Sequence, residues 1–255
     1  MTLLALAPLL ILTAAGFLAG TMNAVAGGGS FISFPALILA GVPSVGANAS
    51  STVALFPGAL TSAWVYRREL GGIGGIKLPA LLICSVAGGL TGALLLLSTP
   101  VATFDGLVPW LLLIATLAFT FGRQLGAQLR RFVRIGRTPT LLLQFGLGVY
   151  GGYFGGAVGI MMLAVWSLIG TDSLKQMNPA RVFLVGAMNG IAVLCFIVAG
   201  QVWWPQTVAM LLGAAAGGYA GAWIGRRLPP RATRGIIIAV TVSMTAAFFV
   251  RRYWT

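Results

Sequence analysis

The sequence contains no histidine, only three acidic residues and two cysteines. With Glu69, Asp105 and Asp172 as its only carboxylates, it offers neither a paired general acid and base nor a buried proton relay of the usual kind. Cys84 and Cys195 lie apart in apolar runs without CxxC spacing, so no disulfide or thiolate metal site is expected. These absences argue against an enzyme, and no cofactor is expected. They also disfavour a metal carrier, because the methionines are scattered except for Met161 and Met162. Residues 146–151, GLGVYG, spell GxGxxG, but no strand–helix context surrounds them that would make a dinucleotide site.

What the chain has instead is apolar surface. Of its 255 residues 58% are hydrophobic and 7% charged, and the mean hydropathy is +0.98, values that describe a multi-pass integral membrane protein with lipid as its main neighbour. A net charge of +13 would suggest nucleic acid in a soluble protein. Here the basic residues stand in short clusters between apolar runs, which is a topology signal, and no nucleic-acid partner is expected. The apolar N-terminus continues without a break, so it is expected to be a first membrane segment rather than a cleaved signal peptide.

About 20 apolar residues make one crossing. Stretches with few or no charges accommodate single crossings at 45–66, 78–98, 102–122, 178–199, 204–225 and 232–251. Two stretches fit differently. Residues 138–171 are too long for one crossing, yet each half, cut at GGYFGGAVG, gives only about 22 Å of helix. Residues 3–41 show the same construction around Gly27 to Gly29. Both are expected to be short, re-entrant-like helical hairpins.

The basic clusters, all but Arg251 and Arg252, then fall on one side of the membrane. Each hairpin is followed by three crossings, an odd number, so the chain reads as an all-α protein of two inverted five-segment repeats. Residues 1–122 form the first, 123–137 a basic cytoplasmic linker, and 138–255 the second. Local matches support the register: GTMNAVAGG (20–28) answers GVYGGYFGG (148–156), and Asn48 answers Asn178. Inverted repeats with broken helices near mid-membrane are a common build of secondary transporters.

A non-helical turn at membrane depth must be buried in protein or line a watery cavity. Gly27, Gly28, Gly29, Gly155 and Gly156 permit such turns and are expected to leave free amides at the second half-helices, where a helix dipole favours an anion. Two tips entering from opposite faces would aim at one central site. Ser30, Asn48, Ser51 and Thr52 are candidate ligands from the first repeat. Asn178 with Pro179 reads as a helix start, with Asn178 both the cap and a candidate ligand from the second repeat. Asn23 and Asn189 are mid-membrane amides that either ligate or bond between helices. Arg181, one turn inside its helix, either snorkels to the interface or offers a bidentate donor to an oxyanion. Lys175 would draw anions to the same mouth or simply obey the orientation rule. The ladder Gly213, Gly217, Gly221 and Gly225, with Gly88 and Gly92, reads as close helix packing, either internal or in a homodimer.

The segments AGGGSFISFPALILAGVP and GANASSTVAL, echoed by GGYFGGAVGIMML and NPARVFLVGAMN, resemble the sulfite exporter TauE/SafE family of membrane permeases over nearly the whole chain. The resemblance implies export of a small sulfur-containing anion, of the sulfite, sulfonate or sulfoacetate type, across a bacterial inner membrane. It marks Gly27 to Gly29, Pro35 and Asn48 to Thr52 as motif positions. Carriage of another small anion, or of a metal ion, is the alternative expectation.

Overall fold

The computed structural model describes the chain except residues 1, 2, 27, 130, 131, 133, 134, 170–173, 226–229 and 255, and except the side chains of 3–6, 25, 26, 123, 174, 175, 222–225 and 230–234. Gly27, Asp172, the Lys175 side chain and several arginines of the basic clusters therefore lie outside the described residues. Ten helices run in order: α1 (Leu3–Ala26), α2 (Ser30–Leu39), α3 (Ser44–Tyr66), α4 (Leu78–Ser98), α5 (Val101–Leu129), α6 (Arg137–Tyr153), α7 (Val158–Ser167), α8 (Leu174–Val198), α9 (Trp204–Gly225) and α10 (Pro230–Tyr253). No strand occurs among the described residues.

Stretches within α1, α4, α5, α8 and α10 are long and apolar enough to cross a membrane. Helices α3 and α9, of 23 and 22 residues, have the length as well. In α3 the first half carries Ser44, Asn48, Ser50 and Ser51, and all four are buried in protein, the environment a polar stretch needs inside a bilayer. The first hairpin differs from the expected pair of short halves. Helix α1 has 24 residues, about 36 Å, so there only α2, with 10 residues, is too short to span, whereas α6 and α7 have 17 and 10 residues. The sequence reading placed the division of residues 3–41 at the glycines, in agreement with α1 and α2, but took both arms as short, although the first already had the length of a crossing. Helix α5 continues to Leu129, so the first part of the expected linker is helical.

The chain forms two compact units. One comprises residues 1–58, 99–116 and 196–255; the other comprises 59–98 and 117–195. In the first unit α1 lies along α9. Cβ atoms at Gly213, Gly217 and Gly221 would run into the backbone of Thr13, Phe17 and Thr21, and Cβ atoms at Gly16 and Gly20 into that of Met210 and Ala214. The Thr21 hydroxyl donates to the Gly217 carbonyl at 2.9 Å. This glycine ladder is therefore internal, closing α9 on α1. Phe34 of α2 meets Phe104 of α5 edge-on (6.4 Å, 82°) and stacks on Phe248 of α10 (5.8 Å, 22°).

In the second unit α4 lies along α6 by the same device. Gly88 and Gly92 abut the backbone of Phe145, Gly148, Val149 and Tyr153, while Gly152 abuts Gly89. The loop between α3 and α4 adds a feature the sequence reading missed. Ile73 and Ile76 exchange backbone hydrogen bonds (3.0 and 2.9 Å) across Gly74 and Gly75, whose φ of 55° and 77° are what a two-residue type I′ hairpin requires. Both isoleucines are buried in the core formed by Met162, Trp166, Leu184 and Met188.

Helix association in lipid depends on backbone approach at such glycines, and overpacking costs about 1–3 kcal/mol. Gly217→Val is expected to lower the apparent melting temperature of the protein in detergent markedly. Gly218→Val, one residue away with no atom within 4 Å of its Cβ position, should leave it nearly unchanged.

Candidate functional site

At the first hairpin the glycines serve closeness rather than unusual backbone. Gly29 is right-handed (φ −56°, ψ −32°), and a Cβ there would stand 2.6 Å from the Ala19 carbonyl oxygen and 2.9 Å from the Asn23 Cβ. Glycines can take a positive φ at such a turn, but the turn is right-handed at Gly29, and no side chain would fit there. Nor are the α2 amides all free. Phe31 N–H donates to the Gly28 carbonyl (3.1 Å) and Ile32 N–H to that of Gly29 (3.0 Å), tightening the first turn with i→i−3 bonds.

The hydroxyls of this hairpin have partners within the protein. Ser33 and Ser51 share a 2.6 Å hydrogen bond, Ser33 also donates to the Gly29 carbonyl at 3.2 Å, and Thr52 donates to the Asn48 carbonyl at 2.9 Å. Ser51, a candidate ligand, clasps α2 to α3, and Thr52, another, bonds along α3. Asn48 is buried, while Ser30 and Asn23 are half-buried. Ser50 accepts the Trp203 backbone N–H at 3.0 Å, and the Trp203 indole lies against Gly46. Trp203 thereby ties the start of α9 to α3.

At the second hairpin positive φ does occur. Gly155 (81°) and Ala157 (58°) are both left-handed; Gly155 N–H donates to the Tyr150 carbonyl at 3.2 Å as α6 ends. Ile160 and Met161 N–H groups close back on the Ala157 carbonyl (2.9 and 3.2 Å). Here too the turn itself uses amides that were expected to await a ligand. Gly156 is buried beside Gly155.

Arg181 reaches this turn. Its Nε and NH2 groups both donate to Oδ1 of Asn178, at 3.0 and 2.7 Å, and its NH1 stands 3.0 Å from where a Cβ of Gly159 would be. The side chain is folded against the first turn of α7. Asn178 is not the helix cap: α8 begins at Leu174, the Asn178 side-chain oxygen is engaged by Arg181 one turn on, and Pro179 lies inside the helix. Asn48 and Asn178 occupy the same fifth position of α3 and α8, and Ser51 and Arg181 the same eighth. No carboxylate pairs with Arg181 among the described residues. Asn189 Oδ1, further along α8, is buried without a hydrogen-bond partner among the described residues.

Below the turn, three fully buried side chains hold α7 in place. Trp166 Nε1 donates to Gln144 Oε1 (3.0 Å), and Gln144 Nε2 donates to Ser85 Oγ (2.8 Å). The chain links α7, α6 and α4, and only the isolated polarity of Gln144 hinted at it in the sequence. Among the described residues no three His, Cys, Asp or Glu side chains gather as a metal site would need.

The fold so described is that of a polytopic helical membrane protein, in which two short apolar helices follow glycine-rich turns. Residues 12–248 match the family described as Sulfite exporter TauE/SafE, and the chain belongs to that family. It is 30% identical over 247 residues, 96% of each chain, to a probable membrane transporter protein of Haemophilus influenzae. It is 29% identical over 251 residues, 96% of this chain and 91% of the other, to the probable membrane transporter protein YfcA of Escherichia coli K12. A probable membrane transporter protein of Sinorhizobium, ORF9, is 29% identical over 95% of this chain and 91% of its own length. No solved structure matches the chain.

Two substitutions test the second hairpin. Gln144→Leu strands the Trp166 N–H in the core and is expected to cost about 1–3 kcal/mol, read as a lowered midpoint of thermal unfolding in detergent. Ala157→Gly relieves a left-handed alanine, whose strain is about 1–2 kcal/mol, and should raise that midpoint.

Proposed function

We propose that this protein is a secondary transporter that exports a small sulfur-containing oxyanion, of the sulfite, sulfonate or sulfoacetate type, across a bacterial inner membrane by alternating access. The observation that carries the anion reading is Arg181. A guanidinium is always charged, and one held inside a membrane protein by a neutral amide draws its counter-charge from what binds there. Its fork geometry matches two oxygens of one oxyanion. Family membership supplies the sulfur chemistry; the fork itself suits a carboxylate equally, which keeps another small anion as the second reading.

The inverted-repeat reading has its own support. Under the register that equates α1 with α6 and α4 with α9, the α1–α9 and α6–α4 contacts are one pairing made twice, each through glycines against backbone. The shared positions of Asn48 with Asn178 and Ser51 with Arg181 agree with that register. Such repeats exchange roles when a site opens to the other side. An inside-negative potential expels an anion with about 2.3 kcal/mol per charge per 100 mV, so export needs no further coupling.

In proteoliposomes the protein is expected to move sulfite or sulfoacetate in preference to lactate. Arg181→Ala should reduce the flux of that anion at least about tenfold, the scale of one charge-assisted bidentate contact, with Arg181→Lys retaining part of it. Transport of a divalent cation and of none of these anions would overturn the reading.

A further inference from the structure

The two hydrogen bonds from Arg181 fall on one edge of its guanidinium. Nε and the adjacent N–H of NH2 are both occupied by Asn178 Oδ1, which leaves the end of the fork, NH1 with the outer N–H of NH2, as the edge that a planar pair of oxygens would meet. The position of that free edge is set from two sides. On α8, Asn178 precedes Arg181 by three residues, so the two side chains lie over one another on the same helical face. Across from it, the α7 backbone comes close only because residue 159 is glycine. A Cβ at that position would stand 3.0 Å from Arg181 NH1, 3.5 Å from its Cδ and 3.6 Å from Val185 Cγ2, close enough to push the guanidinium aside.

We propose that Asn178 and Gly159 are positioning residues for Arg181: Asn178 does not itself ligate the anion but turns the guanidinium so that its end-on fork faces the ligand, and Gly159 leaves the room for it to lie there. The inference rests on the transport reading above and assigns how Arg181 is aimed. An asparagine suits the task better than the chemically closest alternative. An aspartate would hold the same two N–H groups but would cancel the charge that the ligand must meet. An alanine would leave the charge and free the side chain to other rotamers.

That difference gives the test. Full-length protein is reconstituted in liposomes, with sodium sulfite as the probe, and Asn178→Ala, Asn178→Asp and Gly159→Ala are compared with wild type and with Arg181→Ala. Asn178→Ala should raise KM about tenfold with Vmax within about twofold, the signature of weakened binding rather than a lost step. Asn178→Asp should raise KM about a hundredfold although its melting temperature in detergent stays at or above that of wild type, because the hydrogen bonds survive and the net charge does not. Gly159→Ala should raise KM several-fold. An asparagine that served only to stabilise α8 would give the opposite order, with Asn178→Asp nearer to wild type than Asn178→Ala. That order, or a wild-type KM in both, would overturn the proposal while leaving loss of flux in Arg181→Ala, and with it the transport reading, intact. Wild-type sulfite flux in Arg181→Ala, or no sulfite flux in any protein including wild type, would instead remove the reading on which the inference depends.

Discussion

The constraint on which the rest of the structure depends is the approach of helix backbones without side chains between them. In a bilayer, lipid tails are as apolar as leucine, so helices gain nothing from merely hiding apolar surface from one another. They gain from van der Waals contact and from backbone and hydroxyl groups that meet at short range. Both units use this: α9 lies on α1 through Gly213, Gly217 and Gly221, and α4 on α6 through Gly88, Gly89 and Gly92, met by Gly148 and Gly152. Each contact fixes the long arm of a hairpin, and the short arm is then held by polar clasps, Ser33 with Ser51 in one unit and Trp166 with Gln144 and Ser85 in the other.

The two glycine-rich turns use different backbone chemistry. Gly29 is needed for the space that a Cβ would fill, whereas Gly155 and Ala157 supply left-handed residues. Their polar endowments differ as well. At the first, hydroxyls satisfy one another and the backbone, which leaves a neutral, self-contained cluster. At the second, a guanidinium leans on a neutral amide. A partly buried cation held by a neutral amide is not neutralised by that contact. Counted from the helix starts, the eighth residue is Ser51 in α3 and Arg181 in α8.

Much of this architecture was legible beforehand. Crossings expected at 45–66, 78–98 and 204–225 coincide with α3, α4 and α9 to within a residue, because a membrane span must be apolar over a fixed length and punctuated by Pro, Gly or charge. The glycine-rich breaks at 27–29 and 155–156 were also visible, and so was Arg181 as the charge of interest. What escaped was partnership. Nothing in the spacing said that Asn178 would hold Arg181 rather than cap a helix, that Ser51 would bond Ser33, or that Ile73 and Ile76 would fold into a two-residue hairpin inside the core. Those outcomes depend on which segment arrives beside which, and a sequence with few polar groups offers many equivalent pairings.

Composition alone thus determined that the chain is a helical membrane protein, since an apolar backbone with no water to bond must satisfy itself within each helix. Periodic breaks and basic clusters determined the number of segments and their order for the same local reason. Tertiary structure decided what the polar residues do. A serine, asparagine or arginine in an apolar interior takes whatever partner packing brings within about 3 Å, and that distance is a property of the assembled helices, not of any one of them.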